Sequence, residues 1–373
     1  MNTKILFIGG GTGGHIMPLI PLVKVTDAVW EKHLLTDKTE NDRLMVEENF
    51  KDLGIMAHQI KSGKIRAYVS LKNLIDIPII IISVFKSYAL LKKIDPDILF
   101  FKGGYVGFPM VLALKFERFW GIKRRKIFLH ESDITPGKLY KMLSPIADGI
   151  FKNFGNHPLF YYESNRFPTL DKEGVGTRFK QKLLIFGGSQ GAQWINQSIT
   201  KILPELLQNY QVTLITGQGK AVKAQGDGFS QYELLAQTAL YKKMAESDLI
   251  ITRGGASIFQ VLYLQKKALI IPLSGSARNH QVENAQYFAK QGLCHTLDET
   301  KAEPSDIIQA LALLSSDQKL SHTLKQAPIK PAEEKIWKIL ETSLEDRGKS
   351  LQSEIQIPNI RIQKHSRLLF DYC

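Results

Sequence analysis

The strongest constraint on this chain is a pattern that occurs twice. A short apolar run, Ile5-Leu6-Phe7-Ile8, enters a glycine-rich turn, Gly9 to Gly14, and a helix-compatible stretch follows from Ile16 to Thr26. The same order returns at Leu183-Leu184-Ile185-Phe186, Gly187 to Gly191, and Ala192 to Leu207. A strand, a glycine turn and a helix open a βα unit of a parallel sheet. Further short apolar runs alternate with helical patterns: Asp97 to Phe101, Lys126 to His130, Val212 to Thr216, Leu249 to Thr252 and Leu269 to Pro272. Such runs suit strands buried on both faces. The expectation is an α/β chain with two Rossmann-like, doubly wound parallel-sheet domains in tandem. A length of 373 residues agrees with that at about 150 residues per domain. The expected boundaries are 1–155, 156–335, and a C-terminal helix with an unpatterned tail over 336–373. The join falls in Phe151 to Lys182, where Pro158, Pro168 and several glycines interrupt any periodicity.

Composition removes several classes. The only cysteines are Cys294 and Cys373, which excludes a disulfide scaffold and a Cys-rich zinc site and suggests a reducing compartment. No apolar run reaches the roughly 18 residues of a spanning helix. The longest lies near Ile77 to Phe85, with Pro78 and Ser83 inside it. The first residues pass directly into a strand-like run, unlike a secretory signal. A cytosolic protein is expected, one able to touch a membrane from inside. The 49 Lys and Arg against 36 Asp and Glu leave a net charge of +13. Lys61 to Lys93 holds seven basic residues (Lys61, Lys64, Arg66, Lys72, Lys86, Lys92, Lys93) and one acidic, Asp76. Lys102 to Lys126 holds seven more with one acidic, Glu117. Basic stretches beside apolar segments fit an anionic surface; solvated helix faces would look the same. Nucleic acid is disfavoured, because aliphatic segments rather than regularly spaced aromatics accompany the basic residues.

The glycine turns carry the chemistry. Gly9-Gly10-Gly11-Thr12-Gly13-Gly14-His15 lets the backbone turn tightly and approach a ligand at a helix N-terminus. His15, with an ordinary pKa of about 6.5, has the chemistry of a general base. Gly187-Gly188-Ser189-Gln190-Gly191-Ala192 repeats the turn with a hydroxyl and suits a diphosphate held by backbone N–H groups without metal. It lacks the Lys-Ser/Thr ending of a nucleotide-hydrolysing phosphate loop. Two more clusters, Lys102-Gly103-Gly104-Tyr105 and Arg253-Gly254-Gly255-Ala256-Ser257, follow other strands. Ligands of doubly wound sheets bind at strand carboxyl ends, so a ligand cleft between the two halves is expected. His130-Glu131-Ser132-Asp133 ends another strand. Gln281 and Asn284 lie three apart, on one face if helical.

With these stretches assembled, the chain resembles the MurG family of bacterial peptidoglycan N-acetylglucosaminyltransferases. The resemblance covers residues 3 to 340. It rests on GGGTGGHIMP (9–18), SGKIRAYVSLKNLID (62–76), KGGYVGFP (102–109), HESDITPG (130–137), FGGSQGAQWIN (186–196), TRGGAS (252–257) and RNHQVENAQYF (278–288), in the family's order. The resemblance implies a GT-B fold and transfer of GlcNAc from UDP-GlcNAc to the C4 hydroxyl of MurNAc in lipid I. The products are lipid II and UDP, with inversion at the anomeric carbon. It implies a peripheral enzyme on the cytoplasmic face of the membrane, an anionic lipid surface and cell-wall synthesis proteins as partners, and neither cofactor nor metal. His15 would deprotonate the acceptor hydroxyl. Thr12, Gly13 and Gly14 would face donor sugar and acceptor, with Asp133 near the donor. Gly188, Ser189, Gln190 and Gly191 would hold the UDP diphosphate, with Gly255 and Ala256 beside it. Gln281 and Asn284 would bind GlcNAc hydroxyls. Gln260 stands where the family has a ribose-binding Glu, and Gly155 to Phe160 lacks the family's diphosphate-facing Arg. Three other readings stay open: an NAD-dependent dehydrogenase, with Asp37 near a ribose-binding position; a UDP-GlcNAc 2-epimerase; and a weakly active relative acting as a cell-wall scaffold.

Overall fold

The structure is a computed structural model. It describes residues 3–63, 71–122, 125–155, 157–163, 180–188, 191–275, 279–327 and 329–345. Lys64, Arg66, Lys123, Arg124, Ser189, Gln190, Arg278, most of the expected join and the tail lie outside the described residues.

The chain divides into two compact units, one formed by residues 1–161 with 331–373 and the other by 162–330. The first unit begins β1 (Lys4–Gly9), α1 (Gly13–Ile16), α2 (Leu19–Val25), β2 (Glu31–Asp37), α3 (Glu40–Asn49) and β3 (Ile55–Ile60). It continues α4 (Leu71–Ile94), β4 (Ile98–Gly103), α5 (Gly107–Phe119), β5 (Lys126–Glu131), α6 (Lys138–Leu143) and β6 (Gly149–Lys152). The second unit begins β7 (Gln181–Phe186), α7 (Gln193–Asn209), β8 (Tyr210–Ile215), β9 (Phe229–Tyr232), α8 (Gln237–Glu246) and β10 (Leu249–Thr252). It ends α9 (Ser257–Tyr263), β11 (Lys267–Ile270), α10 (His280–Lys290), β12 (His295–Thr296), α11 (Pro304–Ser316) and α12 (Gln318–Gln326). A last helix, α13 (Glu333–Glu345), returns to the first unit.

Each unit holds a six-stranded sheet, and every strand pair is parallel. The orders are β3-β2-β1-β4-β5-β6 and β12-β11-β10-β7-β8-β9. Both are the same doubly wound order, with the first strand of the unit beside its fourth. Chain direction across the sheet reverses between β1 and β4 and between β7 and β10. At such a switch point adjacent loops leave on opposite faces and open a crevice at the strand carboxyl ends. The four glycine clusters sit on these four strands. The central strands are buried on both faces, with Ile5, Leu6, Phe7, Ile8, Leu99, Phe100 and Phe101 fully enclosed, which is why they read as unbroken apolar runs.

Two local expectations change, and two strands went unmarked. The helix expected from Ile16 to Thr26 is two pieces, α1 and α2, because Pro18 has no N–H to continue the ladder and begins a new helix at φ −64°. The strands β2 and β3 mix polar and apolar residues, Glu-Lys-His-Leu-Leu-Thr-Asp and Ile-Met-Ala-His-Gln-Ile, so no continuous apolar run of strand length marked them. The chain crosses out of the first unit after Tyr161, not at residue 155. It re-enters at Pro331, five residues before the expected 336. Beside that crossing, the Ala332 N–H donates to the Pro158 carbonyl at 2.9 Å.

Candidate active site

In the first unit three turns converge at the carboxyl ends of β1, β4 and β5. The glycines of the first two are needed for the turns to touch. A Cβ on Gly104 would stand 2.1 Å from the Gly10 carbonyl oxygen, and one on Gly103 would stand 2.7 Å from His15 Nδ1. Both residues have positive φ, 91° and 127°. The Lys102-Gly103-Gly104 cluster is therefore a packing surface for the first turn, not a second open cradle. Asp42, on α3 and fully buried, accepts the Gly11 N–H at 2.8 Å and the Asp37 N–H at 3.1 Å through Oδ2. A protein carboxylate thus already occupies part of the amide array expected to meet a ligand. Burial raises the Asp42 pKa.

Thr12, Gly13, Gly14 and His15 lie together at the start of α1, with Gly14 exposed and His15 half-buried. The His15 Nδ1 atom is buried without a hydrogen-bond partner of ordinary geometry. Burial, and next the Lys102 ammonium, lower the His15 pKa to about 4; the Asp133 carboxylate and the Lys102 backbone oppose the shift. A neutral imidazole at pH 7 can accept a proton. Lys102 is itself buried, and its Nζ donates to the Ser132 hydroxyl. Burial lowers its pKa to about 8 against the pull of Glu131 and Asp133. Glu131 curls the following loop around its carboxylate: Oε1 accepts the Ser132 and Asp133 N–H groups at 2.9 and 3.2 Å, and Oε2 accepts that of Gly137 at 3.0 Å. The structure therefore brings Asp133 within electrostatic reach of His15.

In the second unit the turns after β7 and β10 are neighbours, because Phe186 pairs with Thr252. Gly188 has φ 77° with nothing among the described residues within 4 Å of an added Cβ, and Gly191 has φ 67°, where a Cβ would stand 2.2 Å from the Thr216 carbonyl oxygen. Gly191 N–H donates back to the Gly188 carbonyl at 3.0 Å, closing the turn. Among the described residues, an added Cβ on Gly255 would meet nothing within 4 Å, whereas one on Gly254 would stand 2.1 Å from the Gln281 carbonyl oxygen. The expected helical face exists: Gln281 and Asn284 are both on α10. Asn284 is buried and donates its side-chain N–H to the Gly254 carbonyl at 3.0 Å. It is not a surface amide; it shapes the Gly254-Gly255 turn from behind. Gln281 Oε1 accepts the Leu273 N–H at 3.0 Å. Gln260 is buried on α9.

Sequence reasoning did not single out Lys102, Glu131 or Asp42 as site residues. The first two lie inside quoted stretches, KGGYVGFP and HESDITPG, where a charged residue at a strand end was the available signal. Asp42 carried none, since it sits 31 positions from Gly11. Asp37 lies at the carboxyl end of β2, where a dehydrogenase would present its ribose-binding acid. Here both of its oxygens are engaged by Ser62, Oδ1 by the N–H at 3.0 Å and Oδ2 by the hydroxyl at 2.7 Å.

One exposed surface stands out on the first unit. Ile77, Ile81 and Phe85 recur four apart along α4, with Ile82 exposed among them, and Phe119 and Trp120 are exposed at the end of α5. Phe85 and Phe119 are 70% and 82% exposed. Edge-on packing of Tyr88 on Phe116, at 5.6 Å between centroids, holds α4 and α5 together. Lys86, Lys92, Lys93 and Lys115 are exposed on the same two helices. Among the described residues no helix is long and apolar enough to cross a membrane.

Comparison with known proteins gives the family and the fold. The model of the glycosyltransferase family 28 N-terminal domain matches residues 5–152, and that of the family's C-terminal domain matches residues 182–340. The UDP-N-acetylglucosamine–N-acetylmuramyl-(pentapeptide) pyrophosphoryl-undecaprenol N-acetylglucosamine transferase of Lachnospira eligens is 34% identical over 335 residues, covering 84% of this chain and 92% of its own. The protein of the same name from Legionella pneumophila strain Lens is 30% identical over 382 residues, covering 96% and 100%. The crystal structure of Acinetobacter baumannii MurG aligns with a TM-score of 0.67 at 20% identity, over 92% of this chain and 100% of that one. A UDP-GlcNAc 2-epimerase from Neisseria meningitidis aligns at 0.62 with 13% identity, again over 92% and 100%. The structural likenesses establish a shared two-domain GT-B fold. Similarity along nearly the whole sequence does more: the chain belongs to the family of UDP-N-acetylglucosamine–N-acetylmuramyl-(pentapeptide) pyrophosphoryl-undecaprenol N-acetylglucosamine transferases, within glycosyltransferase family 28.

Proposed function

We propose that the protein moves GlcNAc from UDP-GlcNAc to the C4 hydroxyl of the MurNAc unit of lipid I, with inversion, releasing UDP. The observation that carries this reading is sequence identity of 34% over 84% of the chain with a transferase so named. The fold is shared with 2-epimerases, but at 13% identity in the case above that likeness concerns architecture alone. In the proposed step an imidazole nitrogen of His15 takes the acceptor hydroxyl proton as the oxygen attacks the anomeric carbon. The bond from that carbon to the diphosphate breaks, and the electron pair leaves with UDP. His15 is proton-free at neutral pH, and developing negative charge on the leaving diphosphate raises its basicity when it is needed. Thr12, Gly13 and Gly14 are assigned to the sugars beside it, with Asp133.

In the second unit the Gly188 to Gly191 turn, with Ser189 and Gln190, is assigned to the diphosphate. Backbone N–H groups are suited to charge that grows in the transition state. Gly255 and Ala256 are assigned to the neighbouring turn beside the diphosphate, Gln281 and Asn284 to the GlcNAc hydroxyls, and Gln260 to the ribose. The acceptor's lipid chain requires contact with a membrane. The α4–α5 apolar surface with its lysines fits an anionic bilayer on its cytoplasmic face, aromatic and aliphatic side chains entering the headgroup boundary.

A radiolabel assay with UDP-GlcNAc and a short-chain lipid I analogue tests the activity. Wild type is expected to transfer label. His15→Ala is expected to lose about 10²- to 10⁴-fold in rate, the usual contribution of a positioned base. No transfer by wild type would refute the function. Full transfer by the variant would refute the base.

A further inference from the structure

A buried lysine stands behind His15, and an irregularity in the sheet puts it there. β1 and β4 pair in step from Ile5 with Ile98 to Ile8 with Phe101, and then Gly9 pairs with Gly103. Lys102 is the residue passed over. A bulge leaves one residue unpaired and re-aims its side chain, and Gly103 accommodates the bend at φ 127°. Lys102 ends 2% exposed, donating to the Ser132 hydroxyl. Lysine is seldom buried without compensating charge. The compensation comes from the Glu131 and Asp133 carboxylates. Because Glu131 also gathers three backbone N–H groups of the 131–137 loop, anchoring Ser132 anchors that loop.

The same bulge presses the backbone after Lys102 against the His15 ring. The charged groups acting on the ring are Lys102 from β4 and Asp133 from the loop after β5. Lys102 in turn faces Glu131 and Asp133 and acts on His130. On α3, Asp42 holds the far side of the glycine turn through Gly11.

We propose that Lys102 is a positioning residue for the transfer, tying the His15 turn to the 131–137 loop through Ser132 and setting its ammonium charge beside the imidazole. This rests on the reading of His15 as the base.

The test is an NMR titration of the His15 ring in full-length protein, with signals assigned against His15→Gln, in wild type, Lys102→Met and Ser132→Ala. In Lys102→Met, His15 is expected to titrate about one pH unit higher, the size of effect a close buried charge exerts. The acid limb of kcat for transfer to the lipid I analogue moves up with it. In Ser132→Ala the charge stays but its anchor goes, so kcat falls several-fold while the His15 titration holds. A folded Lys102→Met in which His15 titrates as in wild type overturns the proposal, whatever happens to the rate. If Lys102→Met does not fold, Ser132→Ala decides: unchanged kcat overturns the anchor. Transfer retained by His15→Gln sinks the base reading instead, and the titration difference still reports on Lys102.

Discussion

Trp337 packs edge-on against Trp30, with ring centroids 4.5 Å apart and planes at 71°. The two residues are 307 positions apart, and their contact seats α13 on the first unit although α13 follows the whole second unit in sequence. Trp337 is buried, and Ile336 and Leu340 beside it are fully enclosed. Replacing Trp337 with Ala is expected to destabilise the first unit by about 3 kcal/mol or more, the usual cost of emptying a buried aromatic site. Urea unfolding followed by circular dichroism checks this. An unchanged midpoint would mean that α13 is dispensable to the first unit.

Acid should loosen the first unit through its buried histidines. Burial lowers the pKa of His157 to about 4, with the Lys335 charge adding to it, and lowers that of His130 well below its usual range. Between pH 6.5 and 4 the unfolded chain binds protons that the folded one refuses. Stability is therefore fully present above 6.5 and lost as pH falls to 4, by up to about 3 kcal/mol for His157. His157 packs edge-on against Phe151 at 5.2 Å, so His157→Phe keeps that packing and removes the titration. The melting temperature of that variant should fall less between pH 6.5 and 4.5 than that of wild type. Parallel curves would show that His157 titrates no differently in the folded state.

Gln260 makes a prediction about nucleotide binding. A hydrogen bond to a charged group is worth about 1 kcal/mol more than one to a neutral group. Gln260→Glu should therefore bind UDP roughly fivefold more tightly, measured by calorimetry. Equal affinity would remove residue 260 from the ribose site.

The α4–α5 surface predicts salt-sensitive binding to anionic vesicles. Reversing Lys86, Lys92 and Lys93 should cost about 1 kcal/mol per charge at low salt. Phe85→Ser with Phe119→Ser should weaken binding at every salt concentration. Vesicle sedimentation in which wild type and both variants behave alike would rule this surface out.

Local sequence carried the architecture because its signals are local. An apolar run, a glycine turn and a helical stretch follow one another within about 20 residues, and repetition of that unit on both halves was enough for two doubly wound sheets. Strands such as β2 lacked an apolar run and were not visible in that way. The candidate ligand turns were equally visible, since glycine marks a close backbone approach. What the glycines approach was not. Gly103 and Gly104 yield to the first turn, Asn284 supports Gly254 from below, Asp42 reaches back to Gly11, and a skipped register turns Lys102 inward beside Ser132. Each of these depends on which strand lies next to which and on how far a side chain is removed from water. Neighbours along the chain set backbone conformation; neighbours across the sheet set charge, burial and reactivity, and only the folded arrangement brings those together.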